Sequence, residues 1–338
     1  MLPIAALSPS ELAAELELAT PWRGKQIFQW LHRSVFDFAE MTDLPQSLRR
    51  ELTGKAQPLS SGVDEVLKDP DGTVKYRIKL LDGSFIESVL LSDRHGRKTA
   101  CLSTQVGCAM GCRFCSTGRM GLIRSLSDYE IVEQFFLLRK DCSNIDTVVF
   151  MGMGEPLCNL ENFSKAVEIL NQPLGVNFSL RRLTLSTCGL LRGLRNLVER
   201  GPYIRLAFSL ITADPHKRGE LMPVSGENPL REIKKELIKY QNITGKRITL
   251  EVVLIAGITD RREDLKSLLD FIPPLKVLVN LIPWNPVAEL PYKEPSKARV
   301  EWFERQLADH GIPAAVRFRR GRGVAGACGQ LAILSKPP

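Results

Sequence analysis

Histidine is scarce in this chain: four in 338 residues, at positions 32, 95, 216 and 310, with no two at the spacing of a ligand pair. Zinc held by imidazoles and acid–base chemistry run by histidine are therefore poor explanations of its function. Long apolar runs are missing as well. No segment reaches the ~20 apolar residues needed to cross a bilayer. Residues 1–18 lack a basic leader and carry Glu11, Glu15 and Glu17, so a cytoplasmic protein with no membrane partner is expected. Neither a solenoid repeat nor a low-complexity segment interrupts the chain. A 44% hydrophobic composition at this length can bury one sizeable core and a smaller appendage without disulfides.

What is present is basic charge and cysteine. The net charge of +8 favours a polyanionic partner, because each phosphate neutralised by Lys or Arg releases a counterion; a slightly basic solvated surface is the plainer alternative. Eight cysteines in a cytosolic chain point to metal or redox chemistry rather than a disulfide framework. Cys101, Cys108, Cys112 and Cys115 crowd together, Cys328 lies near the end, and Cys142, Cys158 and Cys188 stand alone.

The hydrophobic pattern predicts helices over 11–18, 24–33 and 45–53, and hence a small helical domain over residues 1–60. Over 61–97 the period shortens toward two around a turn at Asp69-Pro70-Asp71-Gly72, predicting a short antiparallel connecting β segment. From residue 98 to 312, strands near 99–103, 146–151, 182–187, 203–210, 248–256 and 276–283 alternate with helices at 128–140, 160–171, 190–199, 230–241, 262–271 and 297–310. Such alternation implies a parallel sheet, an α/β partial (β/α)6 barrel with its chemistry at the carboxyl ends of the strands. Residues 313–338 form a C-terminal segment.

The segment Cys108-Ala-Met-Gly-Cys112-Arg-Phe-Cys115 follows the first of these strands. Three thiolates on one loop can hold three irons of a 4Fe–4S cluster and leave the fourth open to a ligand. A closed zinc knuckle needs a second ligand pair, and none follows. Met151-Gly152-Met153-Gly154-Glu155-Pro156 also follows a strand, as a ligand loop or a plain Gly-rich turn. Ser186, Ser209 and Asn285 stand at strand ends, where each could bind a ligand or cap a turn.

Cys-x-x-x-Cys-x-x-Cys in the first βα loop of a partial barrel resembles the radical S-adenosylmethionine (SAM) superfamily. Five further features narrow the resemblance to the RlmN/Cfr family of RNA adenine methyltransferases. They are Ala327-Cys328-Gly329-Gln330-Leu331, Cys101 seven residues before the cluster motif, Arg23-Gly24-Lys25-Gln26-Ile27-Phe28, Met41-Thr42-Asp43-Leu44-Pro45, and Asn280-Leu281-Ile282-Pro283. The resemblance implies a radical-SAM barrel, a cluster on Cys108, Cys112 and Cys115, and cofactor contacts at Gly154, Glu155, Ser186, Ser209, Leu210, Ile211 and Asn285. It further implies two SAM molecules per turnover. Cys328 takes a methyl group from the first by displacement; the second supplies a 5′-deoxyadenosyl radical that activates that methyl for addition to adenine. Cys101 resolves the adduct through a transient disulfide, and Glu87 accepts the ring proton; a solvated strand residue is the plainer reading of Glu87.

By this resemblance the substrate is 23S rRNA methylated at adenosine C2, with tRNA as a further substrate and a low-potential donor such as flavodoxin as electron source. The shared motifs leave C8 methylation open, and a non-enzymatic iron–sulfur RNA-binding protein is the rival from another class. Arg317, Arg319, Arg320 and Arg322 in the tail, with Arg23, Lys25, Arg33, Arg49 and Arg50 in the helical domain, are the candidate phosphate contacts. Two departures from the family pattern bear on specificity: Gly323-Val324-Ala325-Gly326 replaces an acidic Asp-Ile-Asp-Ala stretch, and Ile211 stands where a histidine commonly follows Ser-Leu.

Overall fold

A computed structural model describes residues 1–338 except 288, 289, 318, 319, 322 and 333–338. At the N-terminus β1 (Leu2–Pro3) pairs in parallel with β2 (Ala56–Gln57), closing a unit made of α1 (Pro9–Glu15), α2 (Pro21–His32) and α3 (Gln46–Lys55). Ser8 and Glu11 form a capping box that starts α1, with Pro9 in the first turn, where its missing N–H costs nothing. This unit docks on α5 (Asp128–Asp141) of the main body. His32 is the buried contact: its ring meets Phe136 edge-on at 5.0 Å, its carbonyl accepts from Arg139, and Val176 N–H donates to its Nδ1 at 3.1 Å. Glu133 pins the following linker, accepting from the backbone N–H of Ser60 at 2.7 Å and of Ser61 at 2.8 Å.

Strands β3 (Gly62–Lys68), β4 (Val74–Lys79) and β5 (Phe85–Ser92) come next. After them the chain runs through β6 (Lys98–Cys101), β7 (Gln105–Cys108), α4 (Ser116–Met120), β8 (Gly121–Ser125) and α5. The alternating series continues with β9 (Thr147–Phe150), α6 (Leu160–Asn171), β10 (Leu183–Thr187), α7 (Leu191–Arg200), β11 (Arg205–Ile211), α8 (Pro215–Leu221) and α9 (Leu230–Thr244). It closes with β12 (Ile248–Leu254), α10 (Arg262–Phe271), β13 (Val277–Pro283), α11 (Lys297–Asp309) and β14 (Ala314–Val316).

Ten of these strands make one mixed sheet in the order β14-β13-β12-β11-β10-β9-β6-β5-β4-β3, and the run from β6 to β14 is parallel throughout. This is the expected α/β partial barrel, with two refinements. The antiparallel strands β3–β5 are not a separate connecting sheet; β5 pairs directly with β6, Val89 opposite Cys101, and so extends the barrel's edge. The chain beyond 313 also begins inside the sheet, because β14 adds a seventh parallel strand beside β13. Short apolar strands such as β12, buried at nearly every position, read as near-continuous hydrophobic runs because helices cover the outer face of a barrel and its interior encloses the other.

Candidate active site at the carboxyl ends of the strands

The three-cysteine loop is held from five sides. Its first cysteine ends the β7–β8 hairpin, where Cys108 lies opposite Gly121. Gly107 has φ +77°, and a Cβ there would stand 1.9 Å from Gly121 O, so only glycine fits. A Cβ on Gly118 would come within 2.9 Å of the Cys112 backbone, so α4 lies directly against the loop. Arg113 N donates to Leu221 O at 2.9 Å, Trp284 Nε1 to Phe114 O at 3.3 Å, and Ser116 N to Gly329 O at 2.8 Å. That last bond ties the loop to the tail that carries Cys328.

Cys108, Cys112 and Cys115 line one cleft of about 970 Å³. Among the described residues no three Cys, His, Asp or Glu side chains converge on a single-ion point. Tetrahedral zinc draws its sulfurs to about 2.3 Å from one centre, whereas a cubane spreads its three thiolates over separate irons. Burial raises all three thiols, Cys108 to about 12, so they would be ionised only with bound cationic metal to replace the proton. The donor set and its glycine cradle thus fit an iron–sulfur cluster with an open iron.

The opposite wall is the Gly-rich loop after β9. Gly152 N donates to Leu102 O at 3.0 Å, Met153 N to Ser103 Oγ at 2.9 Å, and Glu155 N to Gln105 Oε1 at 2.9 Å. Gly154 has φ +103°, a conformation that favours glycine. Glu155 is buried, and both its oxygens accept backbone N–H: Oε1 from Leu157 at 3.1 Å, Oε2 from Cys188 at 2.8 Å. Its carboxylate therefore locks the end of β10 to this loop while lining the cleft.

Ser186 and Ser209, on adjacent strands, face each other at 3.3 Å between hydroxyls in the same cleft. Ile211 lines it with φ +65°, a rare conformation for a β-branched residue, at an irregularity in the β11–β12 pairing. Leu210 lines neither cleft: its side chain is fully buried in the main core, and its carbonyl accepts from Arg218 Nε at 3.0 Å. Asn285 Nδ2 donates to Cys328 O at 3.1 Å, and its Oδ1 is buried without a partner. Glu251, from the middle of β12, also lines the cleft; its Oε2 makes no hydrogen bond and is ion-paired with Arg317 Nη1 at 3.7 Å. The orphan Asn285 oxygen suits a hydroxyl or amino donor of a nucleoside.

A second cleft of about 1290 Å³ opens between β6 and β13–β14. Cys101 lines it, with its thiol raised to about 12 chiefly by burial and then by the Cys328 charge. Cys328, exposed on its loop, lines both clefts. The tail is tethered from outside: Gly321 N and Gly323 N donate to Asp71 and Asp69 of the β3–β4 turn, each at 2.7 Å.

Glu87 is no solvated strand residue. It is buried, ion-paired with Lys75 at 2.9 Å, and accepts from Ala332 N at 3.0 Å. Burial raises its carboxyl, with Lys75 pulling the other way. It lines neither cleft and lies under the tail through its Ala332 contact.

Of the tail arginines, Arg317 turns inward to line both clefts and pairs with Glu251, so it is not a surface phosphate contact. Arg320 lines the second cleft, and Arg319 and Arg322 lie outside the described residues. In the helical unit Arg33 stacks on Trp30, Lys25 sits over the exposed Trp22, and Arg23 is bound to Gln26 and Asp43. The sequence gives no sign of Arg218, whose buried guanidinium holds Leu210 O and Cys188 O behind the cluster loop.

Comparison with known proteins agrees with this geometry. Residues 102–272 match the family model of the radical SAM superfamily, and residues 14–57 that of the ribosomal RNA large subunit methyltransferase N-terminal domain. The chain is 42% identical over 328 residues to a probable dual-specificity RNA methyltransferase RlmN of Treponema pallidum, covering 97% of this chain and 96% of that one. A protein of the same description from Moorella thermoacetica is 43% identical, with 96% and 95% covered. The crystal structure of a radical SAM methyltransferase from Sphaerobacter thermophilus superposes with a TM-score of 0.93 at 37% identity, over 98% of this chain and 99% of that one.

Proposed function

The chain belongs to the radical SAM superfamily and, within it, to the RlmN family of RNA methyltransferases, and from that premise we propose that it methylates C2 of an adenosine in 23S rRNA, and of one in tRNA, through a methyl group carried on Cys328. The dual-specificity description of its relatives supports two RNA classes. The observation that carries the reading is that Cys328, on a loop of small residues, lines both clefts, one walled by the three cluster cysteines and the other by Cys101.

Bound in the first cleft, the 4Fe–4S cluster on Cys108, Cys112 and Cys115 and two successive SAM molecules supply a methyl group and a 5′-deoxyadenosyl radical, the electron coming from a low-potential donor such as flavodoxin. Gly154 and Glu155 hold the methionine end, while Ser186, Ser209, the Ile211 backbone and Asn285 hold the nucleoside end. Cys328 receives the methyl as a nucleophile and presents it to an adenine flipped into the second cleft. Once the methyl carbon is bonded to the ring, Cys101 as thiolate attacks the Cys328 sulfur and the S–C bond breaks toward carbon, which takes up a proton to become the product's methyl group; the Cys101–Cys328 disulfide left behind is reduced by an external thiol before the next turnover. For Glu87 to take the ring proton, the Ala332 contact must first open. Residues 1–60 position folded RNA, 61–97 extend the edge of the barrel sheet, 98–316 form the catalytic barrel, and the tail beyond it carries the acceptor thiol. No helix among the described residues is long and apolar enough to cross a membrane, and an RNA substrate supports a cytoplasmic location.

The test is nucleoside analysis of RNA treated with reconstituted, reduced enzyme. 2-Methyladenosine supports the reading, 8-methyladenosine alone replaces its regiochemistry, and absence of 5′-deoxyadenosine favours a non-enzymatic RNA-binding protein.

A further inference from the structure

The wall between the two clefts holds a chain of polar groups with one loose end. Asn280 Nδ2 donates to Glu251 Oε1 at 3.0 Å, while Glu251 Oε2 is buried with no hydrogen-bond partner. Arg317 Nη1 stands 3.7 Å from that oxygen, an ion pair too long for a hydrogen bond. The same nitrogen touches Met151 Sδ at 3.3 Å, and Arg317 lines both clefts together with Cys328. Of the charges around this guanidinium, a Cys328 thiolate acts on it most strongly, ahead of Glu251. The guanidinium thus pairs loosely with Glu251 while facing the same two clefts as Cys328.

We infer that Arg317 is a positioning residue for the Cys328 sulfur, anchored from behind by Glu251 and Asn280. The inference rests on the carrier role of Cys328 and describes how the carrier is steered. In methyl uptake the Cys328 S–CH3 bond forms as the sulfonium S–CH3 bond breaks, so the thiolate becomes a neutral thioether and the departing S-adenosylhomocysteine a neutral sulfide. Arg317 then loses one anionic neighbour. Glu251 remains, so the partly buried cation is never left without a counter-charge. Pairing with Cys328 alone would strand the guanidinium at that moment, and pairing with Glu251 alone would leave the sulfur unguided.

Two assays on the anaerobically reconstituted holoenzyme test this. The first is alkylation of Cys328 by iodoacetamide without SAM, read by peptide mass spectrometry. The second is methyl uptake by Cys328 across a range of SAM concentrations. Arg317→Met is expected to slow both about tenfold to hundredfold, as loss of a charge-assisted contact does, with KM for SAM essentially unchanged. Arg317→Lys should recover most of the rate, and Glu251→Gln should slow both by a smaller factor. Wild-type rates for Arg317→Met in both assays overturn the inference. Should that variant lose its iron, wild-type rates for Glu251→Gln overturn it instead. If wild-type Cys328 is alkylated but takes up no methyl, the carrier reading fails, and the alkylation comparison still judges Arg317.

Discussion

Replacing Glu155 by Gln keeps the shape of a buried side chain and changes one atom's role. Both carboxylate oxygens accept backbone N–H groups, from Leu157 at 3.1 Å and Cys188 at 2.8 Å, in a residue only 4% exposed. A Gln offers one acceptor and one donor, so one of the two N–H groups must face an NH2. A hydrogen bond to a charged group contributes about 1.5–3 kcal/mol, and an unsatisfied buried donor costs about 1–3 kcal/mol. Removing a buried carboxylate returns part of this, which leaves a net loss of about 2–3 kcal/mol. Chemical denaturation of the two proteins at equal iron content measures it.

The sign with pH also follows. Burial, the largest influence, raises the Glu155 carboxyl above its ordinary 4.5, so the folded chain binds this proton more tightly than the unfolded chain. The group's contribution is fully present below pH 4.5 and is lost as pH rises through the folded value. A variant within about 0.5 kcal/mol of wild type at every pH, the scatter of a neutral surface change, would refute the locking role assigned to Glu155.

Further outcomes follow from the same geometry. Gly107→Ala should lose most of its bound iron, since the added Cβ meets Gly121 O at 1.9 Å and the hairpin bearing Cys108 cannot close; iron content equal to wild type would contradict this. His32 is held down to about 3 by burial and then by Arg139, so its contribution is intact above pH 6.5 and lost as pH falls toward 3, at about 1.4 kcal/mol per pH unit. Denaturation of wild type against His32→Asn should show that slope only in the former. Cys101→Ala should stall with RNA covalently attached to Cys328, seen as a retarded species on denaturing gels; ordinary turnover would remove Cys101 from the mechanism.

The cluster loop is legible in sequence because its three sulfurs and the flanking glycines lie within nine residues, and the barrel because each strand–helix unit carries its own period. Pairing between distant segments is not legible. Nothing local tells that β5 joins β6 through Val89 and Cys101, or that the Asp69–Asp71 turn reaches Gly321 and Gly323. Glu251 is hidden in the apolar run of β12, and Arg317 reads as one of several basic tail residues; only the fold turns both inward. Glu87 has the alternating pattern of a half-exposed strand, and its burial depends on the tail lying across it. Three-residue β14 is too short to carry a period.

The central claim is that one thiol, Cys328, carries carbon from cofactor to RNA. The direct measurement is a pulse and chase: enzyme is supplied with SAM labelled in its methyl group, freed of excess, and then given RNA, reductant and unlabelled SAM. The account predicts label on Cys328 after the pulse and in the RNA adenine after the chase, with none in either place for Cys328→Ala. Label that reaches RNA without residing on Cys328, or RNA methylation by Cys328→Ala, would contradict it.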